Sequence, residues 1–367
     1  MYKLLTPGPT PVPPEILKRM AEPLLHHRTP EFAKILDDIF SDLRYVFQTK
    51  EAEVFILTGS GTAAMEAAVV NFFSPGEKVL VCIIGAFGER WASIAKSYGL
   101  GVEVLRWQWG QAIDPKTVED YLGGHPDVRG VFVTHTDTST ATVNPLESLG
   151  RVLRGRETLF LVDAVSSLAG EPLLQDQWGI DVCASASQKG LMCPPGIALL
   201  SASARALKRM SAAKCPRYYW DLKQYQEAKS VPETPFTPPV SLLVGLHDAL
   251  LKIKAESLET CWKRYAQIGQ WLRETLQERL ECSLFSQAPA NVLTAAYLPK
   301  GLAASGVNST QILKYIRDNL KIAIADGQGN LKGKLFRIAH MGAISKSDVE
   351  SGVTALEETF AKFKASV

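Results

Sequence analysis

Paired cysteines are missing from this chain. Cys82, Cys183, Cys193, Cys215, Cys261 and Cys282 stand far apart with no C-x-x-C spacing, which argues against a disulfide framework, a zinc ribbon or an iron–sulfur ligand set. Charge of one sign is missing as well. Forty basic residues against thirty-eight acidic ones give a formal charge of +2, and no block of like charges offers a footprint for nucleic acid or an anionic membrane surface. No stretch approaches the ~18 apolar residues of a membrane span. Met1 to Leu5, followed by Thr6-Pro7-Gly8-Pro9, has no apolar core of signal-peptide length. Internal repeats and low-complexity tracts are also absent. The expected compartment is the cytoplasm, the expected partners are small molecules, and no metal is expected.

What is present is an ordinary globular composition, 46% hydrophobic and 21% charged over 367 residues. That length predicts two units rather than one core. From Val54 to Ser203 short apolar runs (Val54–Leu57, Lys78–Ile84, Val102–Trp107, Gly130–Thr134, Leu159–Val162, Val182–Ser185, Ile197–Leu200) alternate with helical patterns. The alternation predicts an α/β fold with a mostly parallel seven-stranded sheet covered on both faces. A proline-rich loop, Val231 to Val240, ends this region. One long helix from about Val240 to Leu280 then leads to a smaller α+β unit with strands at Val292–Leu298, Ile322–Ala325 and Leu335–Ala339. A helix over Gln311–Leu320 lies between them, and a terminal helix carries Val349, Val353, Leu356, Phe360 and Phe363 as one apolar stripe. The domains read as an arm over 1–14, a large unit over 15–245 and a small unit over 246–367.

Three places could carry chemistry. Thr58-Gly59-Ser60-Gly61-Thr62 follows a strand and opens a helix, where exposed amides and small residues make either a phosphate cradle or a plain cap. With Ala64 the stretch also satisfies G-x-G-x-x-A, but the next strand ends Cys82-Ile83-Ile84-Gly85 without the carboxylate that would hold a ribose hydroxyl. Asp163 closes the very apolar strand Leu159–Val162, as a turn residue or as a partner for a bound cation. Lys189, in Ser187-Gln188-Lys189-Gly190, is either a solvated loop lysine or an amine that condenses with a carbonyl. His26, His27 and Arg28 form a polar cluster without metal-ligand spacing, and a loop role fits them better than an active-site entrance.

Phosphate loop, carboxylate and lysine in that order are what pyridoxal phosphate requires. Together with Thr6-Pro7-Gly8-Pro9, Asp163-Ala-Val-Ser-Ser-Leu and Lys334-Leu-Phe-Arg337-Ile, they make the whole chain resemble the class V, fold-type I aminotransferases, near the alanine-glyoxylate and serine-pyruvate or serine-glyoxylate group. The resemblance implies the cofactor pyridoxal phosphate as a Schiff base on Lys189, with Asp163 at its ring nitrogen. It further implies Ser60, Gly61 and Thr62 on the phosphate with Gln188 assisting. Phe87 and Val165 would cover the two ring faces and Ser139 would stand beside the ring. Arg337 and Gly8 would meet the substrate, and Thr237 would reach the phosphate of a neighbouring subunit in a homodimer with shared sites. Departures from the pattern are Ala141, where many relatives carry glycine, and Thr234, where a tyrosine can donate to the phosphate.

The resulting expectation is amino transfer from a small amino acid, alanine or serine, to a small 2-oxo acid, glyoxylate or pyruvate. No motif supplies a second arginine for a side-chain carboxylate, although Arg28 or Arg217 could enter the site in three dimensions. The alternatives are a cysteine desulfurase or other lyase of the same fold, and a non-catalytic partner subunit. Desulfurases carry histidines where this chain has Phe87 and Gln188. Some relatives bear an old label as a soluble hydrogenase subunit, for which cluster-ligand spacing is lacking here.

Overall fold

A computed structural model describes residues 2–229 and 233–365. Val231 and Pro232, at the start of the proline-rich loop, lie outside the described residues. Seven strands form the central sheet: β1 (Glu53–Gly59), β2 (Lys78–Ile83), β3 (Gly101–Arg106), β4 (Gly130–Thr134), β5 (Leu159–Asp163), β6 (Val182–Ala186) and β7 (Gly196–Ala202). Their order across the sheet is β1-β7-β6-β5-β4-β2-β3, with β7 antiparallel to both its neighbours and every other pairing parallel. The carboxyl ends of β1, β2, β4, β5 and β6 therefore share one edge.

Successive side chains of a strand point to opposite faces, and the cores record that alternation. Val54, Ile56, Leu80, Cys82, Val131, Val133, Phe160 and Val162 enter one buried cluster. Phe55, Leu57, Val79, Val81, Phe132, Leu159 and Leu161 enter the cluster on the other face. Helices α2 (Gly61–Phe72) and α3 (Ala86–Ser97) follow β1 and β2. Helix α1 (Pro30–Phe47) precedes the sheet, with Thr29 accepting from the Phe32 amide and Pro30 at its first position.

A third core surrounds a three-stranded antiparallel sheet of β8 (Leu293–Tyr297), β10 (Leu335–Ala339) and β9 (Ala325–Asp326). Val349, Val353, Leu356 and Phe360 of the terminal helix fill it, with Phe363 packed at its rim. Leu5 of the N-terminal segment joins the same core, and Lys3–Leu4 pairs in parallel with Ile322–Ala323.

The single helix expected between Val240 and Leu280 is two: α4 (Val240–Glu256) and α5 (Leu258–Glu278). Ser257 between them has φ 68° and ψ 148°, and its hydroxyl accepts from the Thr260 amide at 3.3 Å to start the second helix. Helix α4 and the first turns of α5 as far as Tyr265 pack on the large core, whereas Ile268, Leu272 and Leu276 belong to the third. The strand expected over Ile322–Ala325 is likewise split, since Ile322–Ala323 pairs with the N-terminal segment and Ala325–Asp326 with β10. Among the described residues no helix is long and apolar enough to cross a membrane.

Candidate active site

The shared strand edge opens into a cavity of about 250 Å³ whose wall includes Gly8, Ser60, Gly61, Thr62, Phe87, Arg90, Val165, Gln188 and Lys189. Residues from five separate stretches of sequence thus meet at one place. Ser60 begins α2 in an extended conformation, and its side chain does not cap the helix. The first amides of α2 are therefore left for a ligand, as at other anion-binding helix starts. Gly61 leaves no room for a side chain, because a Cβ there would lie 2.7 Å from Val165 Cγ2.

Lys189 follows β6 and is almost wholly buried. Its ammonium donates to the Pro7 carbonyl, and the Thr10 hydroxyl donates to the Lys189 carbonyl at 3.0 Å. Burial, with Arg337 as the next contributor, brings the amine down to about 8, against the opposing pull of Asp163. A Cβ on Gly8 would come within 2.3 Å of Lys189 Nζ, so the arm can lie over the lysine only with glycine at that point. Gln188 also faces the cavity, and its buried Oε1 has no partner.

Asp163 stands at the end of β5 between Thr134 and Ala184 of the adjoining strands. It is buried behind Val165, whose amide donates to Oδ1 at 2.9 Å. Desolvation pushes the carboxyl up to about 7, although Arg90 and Lys189 oppose the shift. A cation brought against this carboxyl would return it to its ionised form.

Asp137 is a buried carboxylate that the sequence did not announce. It lies in a hairpin of Thr136–Asp137 with Thr142–Val143. It accepts from the Phe87 amide at 3.1 Å and from the Ser139 amide at 2.9 Å, and so fixes the start of α3. Ser139 is set behind the cavity wall, donating to Asp137 and accepting from the Ala86 amide at 3.0 Å. Ala141, in the same hairpin, has φ 55°, a left-handed conformation that explains a glycine preference there.

Arg337 on β10 is buried, and its Nη1 donates to the Thr138 carbonyl at 2.8 Å while Nε donates to the Asp326 carbonyl at 2.9 Å. Burial lowers the guanidinium to about 10. No carboxylate pairs with it among the described residues, and its Nη2 makes no hydrogen bond there. It is a desolvated cation held by carbonyls, ready for an incoming carboxylate.

Other expected residues lie elsewhere. Thr237 is exposed and outside this chain's cavity. Thr234 donates to the Phe236 carbonyl at 2.7 Å. Arg28 pairs with Glu233, and His26 and His27 sit beside it in a loop. Arg217 is tied to Asp221 and to the carbonyls of Val70, Ala213 and Cys215. Arg90, three residues after Phe87, lines the cavity although no motif had singled it out. All six cysteines are buried, and burial drives Cys82, Cys193, Cys261 and Cys282 up to about 12.

Residues 3–347 match the family model for the aminotransferase class-V proteins. The chain is 38% identical over 363 residues to the soluble hydrogenase, small subunit, of Synechococcus sp., covering 98% of this chain and 93% of that one. It is 31% identical over 366 residues to the L-aspartate–glyoxylate aminotransferase of Paracoccus denitrificans, covering 98% and 91%. The crystal structure of an alanine–glyoxylate aminotransferase from Nostoc sp. superimposes with a TM-score of 0.92 at 33% identity, covering 98% of this chain and 95% of that one.

Proposed function

The chain belongs to the class V aminotransferases and is a transaminase, and from that premise we propose that it moves an amino group from alanine or serine to glyoxylate or pyruvate with Lys189, Asp163 and Arg337 in the central roles. One observation carries the residue assignment. A desolvated lysine amine and an uncapped helix start meet in a single cavity, and the buried Asp163 carboxyl stands directly behind Val165 of its wall.

The residues present fit pyridoxal phosphate. Its anionic group suits the first turn of α2 at Ser60, Gly61 and Thr62, with the unpartnered Gln188 Oε1 nearby to be satisfied by a donor. Its ring suits the slot between Phe87 and Val165, with Ser139 behind. When bound, the cofactor supplies an electron sink for the pair left on the substrate Cα.

The protein's own groups do the rest. Lys189 would hold the cofactor covalently and, once freed by the substrate amine, would move a proton between the substrate Cα and the cofactor. An amine brought down to about 8 is neutral often enough near pH 8 to act as that base. Asp163 would face the ring nitrogen and favour its positive charge. Arg337 would take the α-carboxylate through its free Nη2, and Gly8 keeps the lid over Lys189 thin.

Arg28 and Arg217 are occupied by Glu233 and Asp221, which supports donors with small uncharged side chains. The buried, high-pKa thiols supply no ready nucleophile for desulfurase chemistry. Free buried cysteines also accord with a cytoplasmic location.

The same reading makes the chain a homodimer in which Thr237 serves the neighbouring site. Its support is that Thr237 is exposed next to Phe236, against which the exposed Tyr218 ring lies at 6.0 Å. It divides the chain at 1–14, 15–245 and 246–367, with the separate core around β8 and β10 as support for a small unit and with residues 246–265, which pack on the large core, as its linking helices.

The test crosses alanine, serine, aspartate and 2-aminoethylphosphonate with glyoxylate and pyruvate in the active holoenzyme, while a separate sample is reduced with borohydride to fix the cofactor for peptide mapping. Alanine or serine with glyoxylate is expected to turn over fastest, and the label is expected on Lys189. Exclusive use of aspartate, or a label on another lysine, would overturn the assignment.

A further inference from the structure

A phosphate ester brought into this cavity carries close to two negative charges, and a buried charge is costly unless paired. The wall offers few compensating groups. Ser60, Gly61, Thr62 and Gln188 are neutral, and the two basic residues on it are Lys189 and Arg90. Lys189 is committed elsewhere, since its amine turns to the Pro7 carbonyl of the N-terminal segment and is the group proposed to react. Arg90 remains.

Its surroundings are those of an anion site. Arg90 Nη1 donates to Thr62 Oγ1 at 3.1 Å, which brings the guanidinium to the first turn of α2, where the free amides lie. The guanidinium carbon lies 4.7 Å from the centre of the Phe87 ring, so the flat group is stacked and held. Phe87 is itself anchored through its amide by Asp137, and Arg90 comes three residues later on the same face of α3. Among the described residues Arg90 forms no ion pair, whereas its neighbour Glu89 pairs outward with Arg106. A stacked, half-buried arginine at a helix start, with no carboxylate of its own, has an anion as its missing partner.

We propose that Arg90 binds the phosphate of the cofactor and supplies the charge that the neutral loop Ser60-Gly61-Thr62 lacks. The inference rests on the cofactor site described above. It assigns the cavity's second cation to the cofactor rather than to a substrate side chain, which in turn leaves the donor pocket without a second arginine. Arg337, on the far side against the Thr138 carbonyl, keeps the substrate carboxylate.

The experiment strips the enzyme of cofactor and titrates the wild type, Arg90→Gln and Arg90→Lys with pyridoxal 5′-phosphate, with pyridoxal and with inorganic phosphate. Affinity for pyridoxal phosphate is expected to fall about ten- to a hundredfold in Arg90→Gln and by less in Arg90→Lys. Affinity for pyridoxal, which has no phosphate, is expected to be the same in all three proteins. Inorganic phosphate is expected to raise the melting temperature of the wild-type apoenzyme and not that of Arg90→Gln. An equal loss for pyridoxal would make Arg90 a prop for the Phe87 ring and overturn the proposal. So would unchanged binding of pyridoxal phosphate, or a defect confined to the KM for aspartate. Should Arg90→Gln fail to fold, Arg90→Lys carries the same comparison. Failure of the underlying site is seen separately, as wild-type protein whose borohydride label lies on a lysine other than Lys189.

Discussion

At the scale of single residues, two groups are held away from their ordinary ionisation, and each gives a measurable consequence. Lys189→Ala is expected to take up pyridoxal phosphate without a covalent bond, because the anchoring contacts lie at α2 and not on the amine. Turnover should fall by roughly three orders of magnitude or more, since bond and proton carrier are the same group. Absorbance after gel filtration and a donor assay measure the two effects separately. Asp163 can be tested in the cofactor-free protein. Folded, its carboxyl keeps a proton up to about 7, whereas in the unfolded chain it loses it near the ordinary 3.8. Between these values the folded state binds the extra proton, so this group's contribution to stability is present in acid and is lost as pH rises through 7. Asp163→Asn removes that loss. The apo variant is expected to match the wild type near pH 4 and to exceed it at pH 8 by on the order of 2 to 4 kcal/mol in urea unfolding, while turnover collapses. Glu171, also pushed up to about 7 by burial, titrates alike in both proteins and cancels from the difference. An apo variant weaker than wild type at pH 8, with normal activity, would make Asp163 a strand-end turn residue only.

At the scale of elements, the break at Ser257 sets two local effects against each other. Its φ of 68° with ψ of 148° lies in backbone territory that suits glycine, and its hydroxyl caps α5. Ser257→Ala loses the cap and keeps the strain, and is expected to cost about 1 kcal/mol. Ser257→Gly gives up a few tenths as a cap while relieving strain on the order of 1 to 3 kcal/mol, so its melting temperature should rise. A fall in both variants would show that the hydroxyl outweighs the backbone. The same position explains why one helix was expected. Apolar residues recur at helical spacing on both sides of Ser257, and neither glycine nor proline marks the turn. The sheet was legible because each central strand is a short continuous apolar run, buried on both faces. Helix α1 went unassigned although Thr29-Pro30-Glu31 is an ordinary start signal. Asp137 was hidden because two-residue strands carry no periodicity. Arg90 was hidden because an arginine one turn into a helix reads as a solvated face until the fold turns that face to the cavity.

At the scale of the whole molecule, the cavity-bearing edge of the large sheet is approached by a side chain from the smaller sheet. Arg337 leaves β10, where its strand neighbours are Ala295 and Ala325, and reaches the Thr138 carbonyl of the hairpin that Asp137 anchors. A substrate carboxylate at its free Nη2 would thus be gripped across both units, and amino donor and oxo acceptor present the same carboxylate. Arg337→Lys is expected to raise the KM for both by similar factors, with cofactor affinity unchanged. Loss of a charge-assisted hydrogen bond amounts to about 1.5 to 3 kcal/mol, or ten- to a hundredfold in kcat/KM. Lysine also cannot reproduce the simultaneous bonds to the Asp326 and Thr138 carbonyls, so the replacement ammonium would be less well aimed. A simple amine without a carboxylate should react with the variant almost as it does with the wild type, which separates carboxylate recognition from damage to the catalytic edge. If the variant instead handled both acids normally and lost its cofactor, Arg337 would belong to the phosphate or to a subunit contact. The division of labour between Arg337 and Arg90 would then have to be reversed.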